Sequence, residues 1–212
     1  TIFPGSVMKK STLLEQDLTE ELFQEFSQAP ELGVDCEMMG LNPARDRLCL
    51  VQIGKEGGPY ALIQIDEQAG APRLKSLLTN PEITKIFHFA RMDCLFFKAR
   101  LGIDVKGIFC TKLASRLVRT YTDRHGLKEL VREFTGEQLD KTITSSDWGN
   151  PKLSPEQLKY AEEDIKYLFK IKRKVHEMLE REGRMGFYQS CVEFLPVRIE
   201  LDRLGYGDIF EH

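Results

Sequence analysis

The chain lacks several features that would each define a class of protein. No apolar run approaches the length of a membrane-spanning helix, and residues 1–30 lack the basic and then apolar layout of a secretory signal. There is no internal repeat and no low-complexity linker. Basic residues are not in excess either, since the formal net charge is −3. We therefore expect a cytoplasmic protein without membrane partners and without a long duplex-binding surface, which usually needs a net basic face.

Paired cysteine motifs are also missing. The spacing predicts neither a disulfide framework nor a zinc site, and it favours a reducing compartment. The five cysteines are Cys36, Cys49, Cys94, Cys110 and Cys191. Apolar material is plentiful, because 212 residues that are 42% hydrophobic can bury one substantial core. We therefore predict a single domain over residues 1–212, with an N-terminal segment and helix in 1–30 and a C-terminal helix and tail in 187–212.

Two carboxylates lie close together in the run VDCEMMGL. Asp35 and Glu37 belong to a stretch, residues 32–38, that is typical of a strand ending in a turn at Gly40. Alternate residues of a strand share a face, and two carboxylates directed at one point repel each other and lose solvation. Such a pair normally needs a cation, and oxygen ligands suit Mg²⁺ or Mn²⁺. A solvated strand end without a metal is the alternative that this pair alone leaves open.

A third carboxylate, Asp93, follows an apolar, β-prone run in IFHFARMD and opens a helical pattern over residues 92–101. At such a junction the free amides of a helix N-terminus can hold a carboxylate. This motif by itself favours a simple capping role for Asp93.

A tyrosine and a fourth carboxylate occur in YAEEDIKYL. Ser154-Pro155-Glu156 is a helix-start signature, and apolar residues continue at helical spacing through Ile171. Tyr160 and Asp164 are four positions apart and therefore share one helix face. That face is otherwise apolar, so Asp164 needs a metal ion or a basic partner there. For Tyr160 alone, an ordinary core tyrosine is the simpler interpretation.

Taken in order, these patterns resemble the DEDD superfamily of 3′-5′ exonucleases, in the tyrosine-containing branch typified by ribonuclease D and the proofreading domains of DNA polymerases. Within that branch the chain is similar to the nano-RNase C group, small bacterial enzymes that cleave dinucleotides at the end of RNA decay. The runs that carry this likeness are LNPARDRLCLVQIG, TKIFHFARMD, FCTKLASRLVRTYTDRHGLKEL, SSDW and FLPVRIELDRLGYGDIFEH. The branch with histidine in place of the tyrosine is excluded. Its members carry that histidine five residues before the last Asp, and this chain has Lys159 there.

The resemblance implies hydrolysis of the 3′-terminal phosphodiester with two divalent metal ions, Mg²⁺ or Mn²⁺. Asp35 would bridge both ions, Glu37 and Asp164 would ligate one, and Asp93 would support the other through water. Tyr160 would orient the nucleophile, because a phenol with a pKa of about 10 is a poor base at neutral pH. These five residues are our candidate catalytic set.

Substrate contacts are expected from residues beside the carboxylates. The resemblance implies that Met39 or Leu41 wedges between two bases. Many superfamily members have Thr where this chain has Met38, so only the backbone amide of Met38 would contact the terminal nucleotide. His88 is a further substrate candidate, although a local hydrogen bond or packing role is its stronger alternative.

Basic residues, Arg119 among them, are concentrated between positions 112 and 128. A solvated helix face is one interpretation, and phosphate binding is the other, because hydroxyl-bearing residues interleave with the charges. The candidates for a cap over the 5′ phosphate, from this subunit or a neighbouring one, are Tyr121, Arg124, His125 and Lys128. Each has an alternative role at a subunit interface.

The predicted fold class is α/β, a ribonuclease H-like exonuclease fold with a mixed central sheet flanked by helices. Short connections favour an antiparallel meander of three strands, and the later alternation of strands and helices indicates parallel crossovers. We predict a helix at 20–28, strands at 33–38, 47–53 and 60–65, a helix at 72–79, a strand at 83–88, a helix at 91–101, a strand at 105–109 and helices from 111 onward. The carboxylates would then lie near one edge of the sheet, with the Tyr160 helix packed across them.

The expected partners are a short RNA, above all a dinucleotide, or another short single-stranded nucleic acid. The resemblance also implies a homo-oligomer, a ring built from dimers such as an octamer. A general ribonuclease D-like trimming enzyme for longer RNA or single-stranded DNA is the alternative function, and a silent interaction module is a third. The amphipathic C-terminal segment could serve as a subunit interface or simply cover its own core.

Overall fold

A computed structural model of the chain describes residues 11–139 and 146–211. The first ten residues of the predicted N-terminal segment therefore lie outside the described residues. The strands are β1 (Ser11–Glu15), β2 (Glu31–Met38), β3 (Leu48–Gly54), β4 (Tyr60–Gln64), β5 (Thr84–Phe87) and β6 (Ile108–Cys110). The helices are α1 (Glu20–Ser27), α2 (Pro72–Thr79), α3 (Ala90–Leu101), α4 (Thr111–Val118), α5 (Leu127–Thr135), α6 (Pro155–Lys166), α7 (Leu168–Arg181) and α8 (Met185–Arg203).

The six strands form one mixed sheet in the order β1-β4-β3-β2-β5-β6. β2, β3 and β4 are an antiparallel meander, and β5 and β6 continue it in parallel, which confirms the predicted fold class. The prediction missed β1, which pairs in parallel with β4 at the far edge and has only five residues. β6 begins at Ile108 rather than at residue 105, so the predicted start of that strand was wrong.

Both faces of the sheet are covered, so its central strands are buried throughout. Every residue of β3 is buried, as expected for a strand with packing on two sides. Val51 and Ile53 point into a cluster that includes α1, α2, α3 and α8 side chains, whereas Leu50 points into a cluster with Ala161 of α6. The strand period of two therefore separates two cores. Within the described ranges, no helix has both the length and the apolar character needed to cross a bilayer.

The helical pattern that begins at Ser154 is not one continuous helix. Its capping box is present as predicted, with the Ser154 and Gln157 side chains each accepting from the other residue's backbone amide. However, α6 ends at Lys166 and α7 begins at Leu168, with Tyr167 as the cap residue between them, so the prediction of a helix running through Ile171 was wrong. The break lets α6 pack on β2 and β3 while α7 packs on α4 and β5. Tyr160 and Asp164 are thereby carried by a short helix directly over β2.

Candidate active site

Asp35 and Glu37 project from β2. The prediction that they lie near one edge of the sheet was wrong, because β2 is an interior strand. The pairing of β2 with β5 extends only to Gly33, opposite Ile86, whereas its pairing with β3 continues to Met38. β5 ends one residue later, at Phe87. Beyond Gly33, the edge of β2 that faces β5 is therefore open to other groups, although the strand lies inside the sheet.

Asp93 fills this opening, and it does not cap α3. The residue that begins α3 is Phe89, and no side chain caps that end. The Asp93 carboxylate oxygen Oδ1 instead accepts two hydrogen bonds from Cys36, one from the backbone N–H and one from Sγ, both at 3.0 Å. With 4% of its surface exposed, Asp93 is a buried bridge between α3 and β2. The capping interpretation that the motif alone favoured was wrong.

The fourth carboxylate reaches the same place from α6. Ligand oxygens of Asp35, Glu37 and Asp164 all lie within 4.8 Å of one another. Tyr160 lies one helical turn from Asp164, and the charge of that carboxylate is one of the causes that raise the pKa of Tyr160, after burial. The Tyr160 ring also packs against Trp148, with 6.0 Å between the ring centroids. Residues that are far apart in the sequence thus converge on one point of the sheet.

The cluster is electrostatically unfavourable for carboxylates alone. Burial, followed by repulsion from Asp164 and Asp93, raises the pKa of Glu37 to about 9. Burial also raises the pKa of Asp93 to about 6, against the opposing effect of the two Cys36 hydrogen bonds. The pKa of Asp35 is raised well above its ordinary value by burial and by all three neighbouring carboxylates. An acidic oxygen set of this kind fits divalent cations, which would replace the protons that it otherwise retains.

A cleft of about 530 Å³ opens beside the carboxylates. Three of the predicted substrate-contact residues, Met38, Met39 and Leu41, line it, and Trp148 forms another wall. Met39 is 50% exposed and Leu41 is 74% exposed, so both side chains are available to a ligand. Sequence reasoning missed Trp148 as a site residue. Its only signal was that it is the one tryptophan of the chain, within the run SSDW.

The four candidates for a 5′-phosphate cap lie on the loop before α5 and on α5 itself. Tyr121 donates to Glu133 at 2.6 Å, and His125 Nδ1 lies 2.9 Å from the Ser115 hydroxyl. Arg124 and Lys128 are exposed. Among the described residues that line the cleft, none is one of these four. These four residues therefore do not form part of the cleft beside Glu37 within the described part of this chain.

Arg119 is not part of a solvated basic face. It is 2% exposed and forms an ion pair with Glu133 at 2.5 Å. Its guanidinium also donates to the Arg124 carbonyl at 2.6 Å. Arg119 therefore anchors the loop that carries the cap candidates. A similar local role applies to His88, whose Nδ1 lies 3.0 Å from the Thr111 hydroxyl.

Comparisons with known proteins agree with this geometry. A family model described as 3′-5′ exonuclease matches residues 11–180. Ribonuclease D of Gluconacetobacter diazotrophicus is 31% identical over 193 residues, which cover 91% of this chain and 48% of the relative. A structure of Brucella melitensis NrnC with bound Mg²⁺ is 42% identical with a TM-score of 0.88, and one bound to pGG is 43% identical with a TM-score of 0.89. Each covers 95% of this chain and 98% of the NrnC chain.

The two kinds of relative differ in how much of their length is matched. The chain spans about half the length of the curated ribonuclease D relatives. It spans nearly the whole of the NrnC chains. The comparison with NrnC is therefore the more complete one.

Proposed function

The chain belongs to the 3′-5′ exonuclease family, and on this premise we propose that it is a ribonuclease D-type exoribonuclease that hydrolyses very short RNA, above all dinucleotides, to 5′-mononucleotides. The observation that carries the proposal is the convergence of Asp35, Glu37 and Asp164 within 4.8 Å beside an open cleft. Asp93 and Tyr160 complete the family's set of four carboxylates and a tyrosine.

Asp35, Glu37, Asp93 and Asp164 would hold two divalent metal ions, Mg²⁺ or Mn²⁺. When bound, such ions make water a stronger nucleophile and stabilise negative charge on the leaving 3′ oxygen. The chain contributes the rigid placement of the four carboxylates on β2, α3 and α6. Cys36 contributes by holding Asp93 Oδ1 with two hydrogen bonds, so that the carboxylate is oriented before any ligand arrives.

Tyr160 orients the attacking water and does not deprotonate it. Burial, followed by the charges of Asp164 and Glu37, raises the pKa of Tyr160 above its ordinary value, so the hydroxyl stays protonated at neutral pH. A protonated phenol has one hydrogen to donate and can also accept hydrogen bonds, which is enough to orient a water molecule. In the reaction the water oxygen bonds to phosphorus and the bond to the 3′ oxygen breaks. The proton that the water loses passes to solvent, and the 3′ oxygen takes up a proton from solvent.

We expect Tyr160→Phe to lower kcat by roughly a hundredfold, which is the effect that a small misplacement of a reacting group can have. The phenylalanine keeps the ring contact with Trp148 but removes the hydroxyl. Mn²⁺ affinity, measured by isothermal titration calorimetry, should stay near the wild-type value. A collapse of metal binding in this variant would contradict the assigned role.

The preference for dinucleotides is supported by the cleft and by one relative. The cleft of about 530 Å³ is within the size range of small-molecule sites, and the exposed Met39 and Leu41 side chains can pack against bases. NrnC of Brucella melitensis has been solved bound to pGG, a notation for a guanosine dinucleotide with a 5′ phosphate. Because the cap candidates do not line this cleft, we propose that a neighbouring subunit supplies the contacts to the 5′ phosphate.

The test is Mn²⁺-dependent cleavage of 5′-labelled RNAs of two to seven nucleotides, with Asp35→Ala as the inactive control. If the protein is a diribonuclease, the dinucleotide disappears far faster than the heptamer. The similarity to ribonuclease D favours the second candidate, general 3′ trimming of longer RNA or single-stranded DNA. Shortening of all lengths at similar rates would support that candidate and reject the dinucleotide preference.

A further inference from the structure

A buried amide with no partner lies next to the carboxylate cluster. Gln52 of β3 has 0% of its surface exposed. Among the residues that the structure describes, neither its Nε2 nor its Oε1 has a hydrogen-bond partner. Exchanging the two atoms would not change this result, because both lack a partner. Nearly all buried polar side-chain atoms in proteins are hydrogen-bonded, so this exception requires an explanation.

The position of Gln52 in the sheet supplies an explanation for the buried amide. Gln52 is directly opposite Asp35 in the antiparallel pairing of β2 with β3, and opposite Leu62 of β4 on its other side. Side chains at directly opposite positions have Cβ atoms about 4.5–5.5 Å apart and point to the same face. The carboxamide is therefore within one side-chain length of the Asp35 carboxylate, beneath α6.

An apolar residue would be the ordinary choice for this position. Leu50 and Leu62 occupy the same face and pack in one cluster with Trp148 and Ala161. A leucine or methionine at position 52 would fill similar space without burying two polar atoms. A glutamine at this position is explained if its hydrogen-bond partner is a group that takes up a different orientation or charge when metal ions bind.

The amide also suits the charge of the site. A lysine or arginine at this position would neutralise the carboxylates and compete with metal ions for them. A carboxamide has no net charge and still offers two N–H donors. Carboxylates that ligate metals are typically held by such hydrogen bonds from a surrounding layer, and loss of one commonly weakens metal affinity.

We propose that Gln52 is a positioning residue whose carboxamide donates a hydrogen bond to the Asp35 carboxylate in the metal-bound protein. The bond fixes the orientation of Asp35, the carboxylate expected to contact both ions. This inference rests on the metal-dependent hydrolysis proposed above, and it assigns a role to a residue outside the four carboxylates and Tyr160.

The test compares Gln52→Met and Gln52→Leu with Leu62→Met, a matched apolar change on the neighbouring strand and the same face. In EDTA, both Gln52 variants should unfold at the wild-type temperature or higher, because they remove a buried amide without a partner. Their Mn²⁺ affinity, measured by calorimetry, should fall by roughly 10- to 100-fold. Their kcat should fall while KM for RNA changes little, and Leu62→Met should leave Mn²⁺ affinity and kcat unchanged.

Three results would overturn the inference. Wild-type Mn²⁺ affinity in both Gln52 variants would show that the amide does not support the metal site. Unfolding of both variants in EDTA would show that the amide already has a structural partner in the metal-free fold. An equal loss of Mn²⁺ affinity in Leu62→Met would show that any change on this face disturbs the site. If wild-type protein itself neither binds Mn²⁺ nor cleaves RNA, the proposed function fails instead.

Discussion

We expect Asp35→Asn to reduce kcat by roughly a thousandfold or more while leaving the fold intact. The asparagine keeps the shape of the side chain but removes the negative charge at the centre of the cluster, where Glu37 and Asp164 converge. Loss of a properly held metal ion removes several kcal/mol of transition-state stabilisation, and each 1.36 kcal/mol corresponds to about tenfold in rate. Initial rates of dinucleotide hydrolysis at saturating Mn²⁺ measure this effect.

The same substitution should not destabilise the metal-free protein. Burial and three neighbouring carboxylates raise the pKa of Asp35 and make its charged form costly in the metal-free fold, so Asp35→Asn should unfold in EDTA at the wild-type temperature or above it. Glu193→Gln makes the same chemical change at an exposed position of α8 and should alter neither activity nor stability. A marked loss of thermal stability in Asp35→Asn would instead identify Asp35 as a structural residue, and the lost activity could not then be assigned to chemistry.

We expect the stability of the protein to depend on Lys85 above about pH 8. Lys85 is fully buried in β5, and its ammonium donates to the backbone carbonyls of Asn80 and Ile83. Burial lowers the pKa of Lys85 from 10.5 to about 8. Between these values the unfolded chain binds the proton and the folded chain does not, so the free energy of unfolding rises as pH increases through this range. The full effect is on the order of 3 kcal/mol.

Urea denaturation of wild type and Lys85→Met at several pH values between 7 and 10.5 measures this contribution. The difference in the free energy of unfolding between the two proteins should shift in favour of wild type as pH rises, because the cost of burying the charge disappears. Lys75→Met, which removes an exposed lysine of α2, is the matched control for loss of one positive charge. A difference between wild type and Lys85→Met that stays constant across this range would show that Lys85 is not responsible.

Local sequence patterns predicted most of the elements, because each pattern depends on neighbouring residues. The period of two placed Asp35 and Glu37 on one strand face, and the Ser154 capping box marked the start of α6. The helix break at Tyr167 was missed, since the apolar spacing continues across it. β1 was missed because a five-residue edge strand depends on its pairing with β4 for its stability.

The candidate site also has features that the sequence predicted and features that it could not predict. The types and order of the five catalytic candidates were readable from the sequence, and so was the family that they indicate. The sequence could not show whether Asp93 caps α3 or contacts β2, because that depends on where β5 ends and on the Cys36 N–H that Asp93 accepts from. The sequence also gave no reason to select Trp148 or Gln52. Each is distinguished only by its neighbours in the fold, which are Tyr160 for Trp148 and Asp35 for Gln52.

The sequence by itself indicated the family of this protein, because four carboxylates and a tyrosine occur in the order that is typical of a 3′-5′ exonuclease. Only the tertiary structure decided which side chains share one point in space. The physical reason is that local patterns favour particular helices and strands, whereas the approach of Asp93 and Asp164 to Asp35 depends on long-range packing of α3 and α6 against β2. The same packing places the Gln52 amide opposite Asp35, a relation that no spacing along the chain reveals.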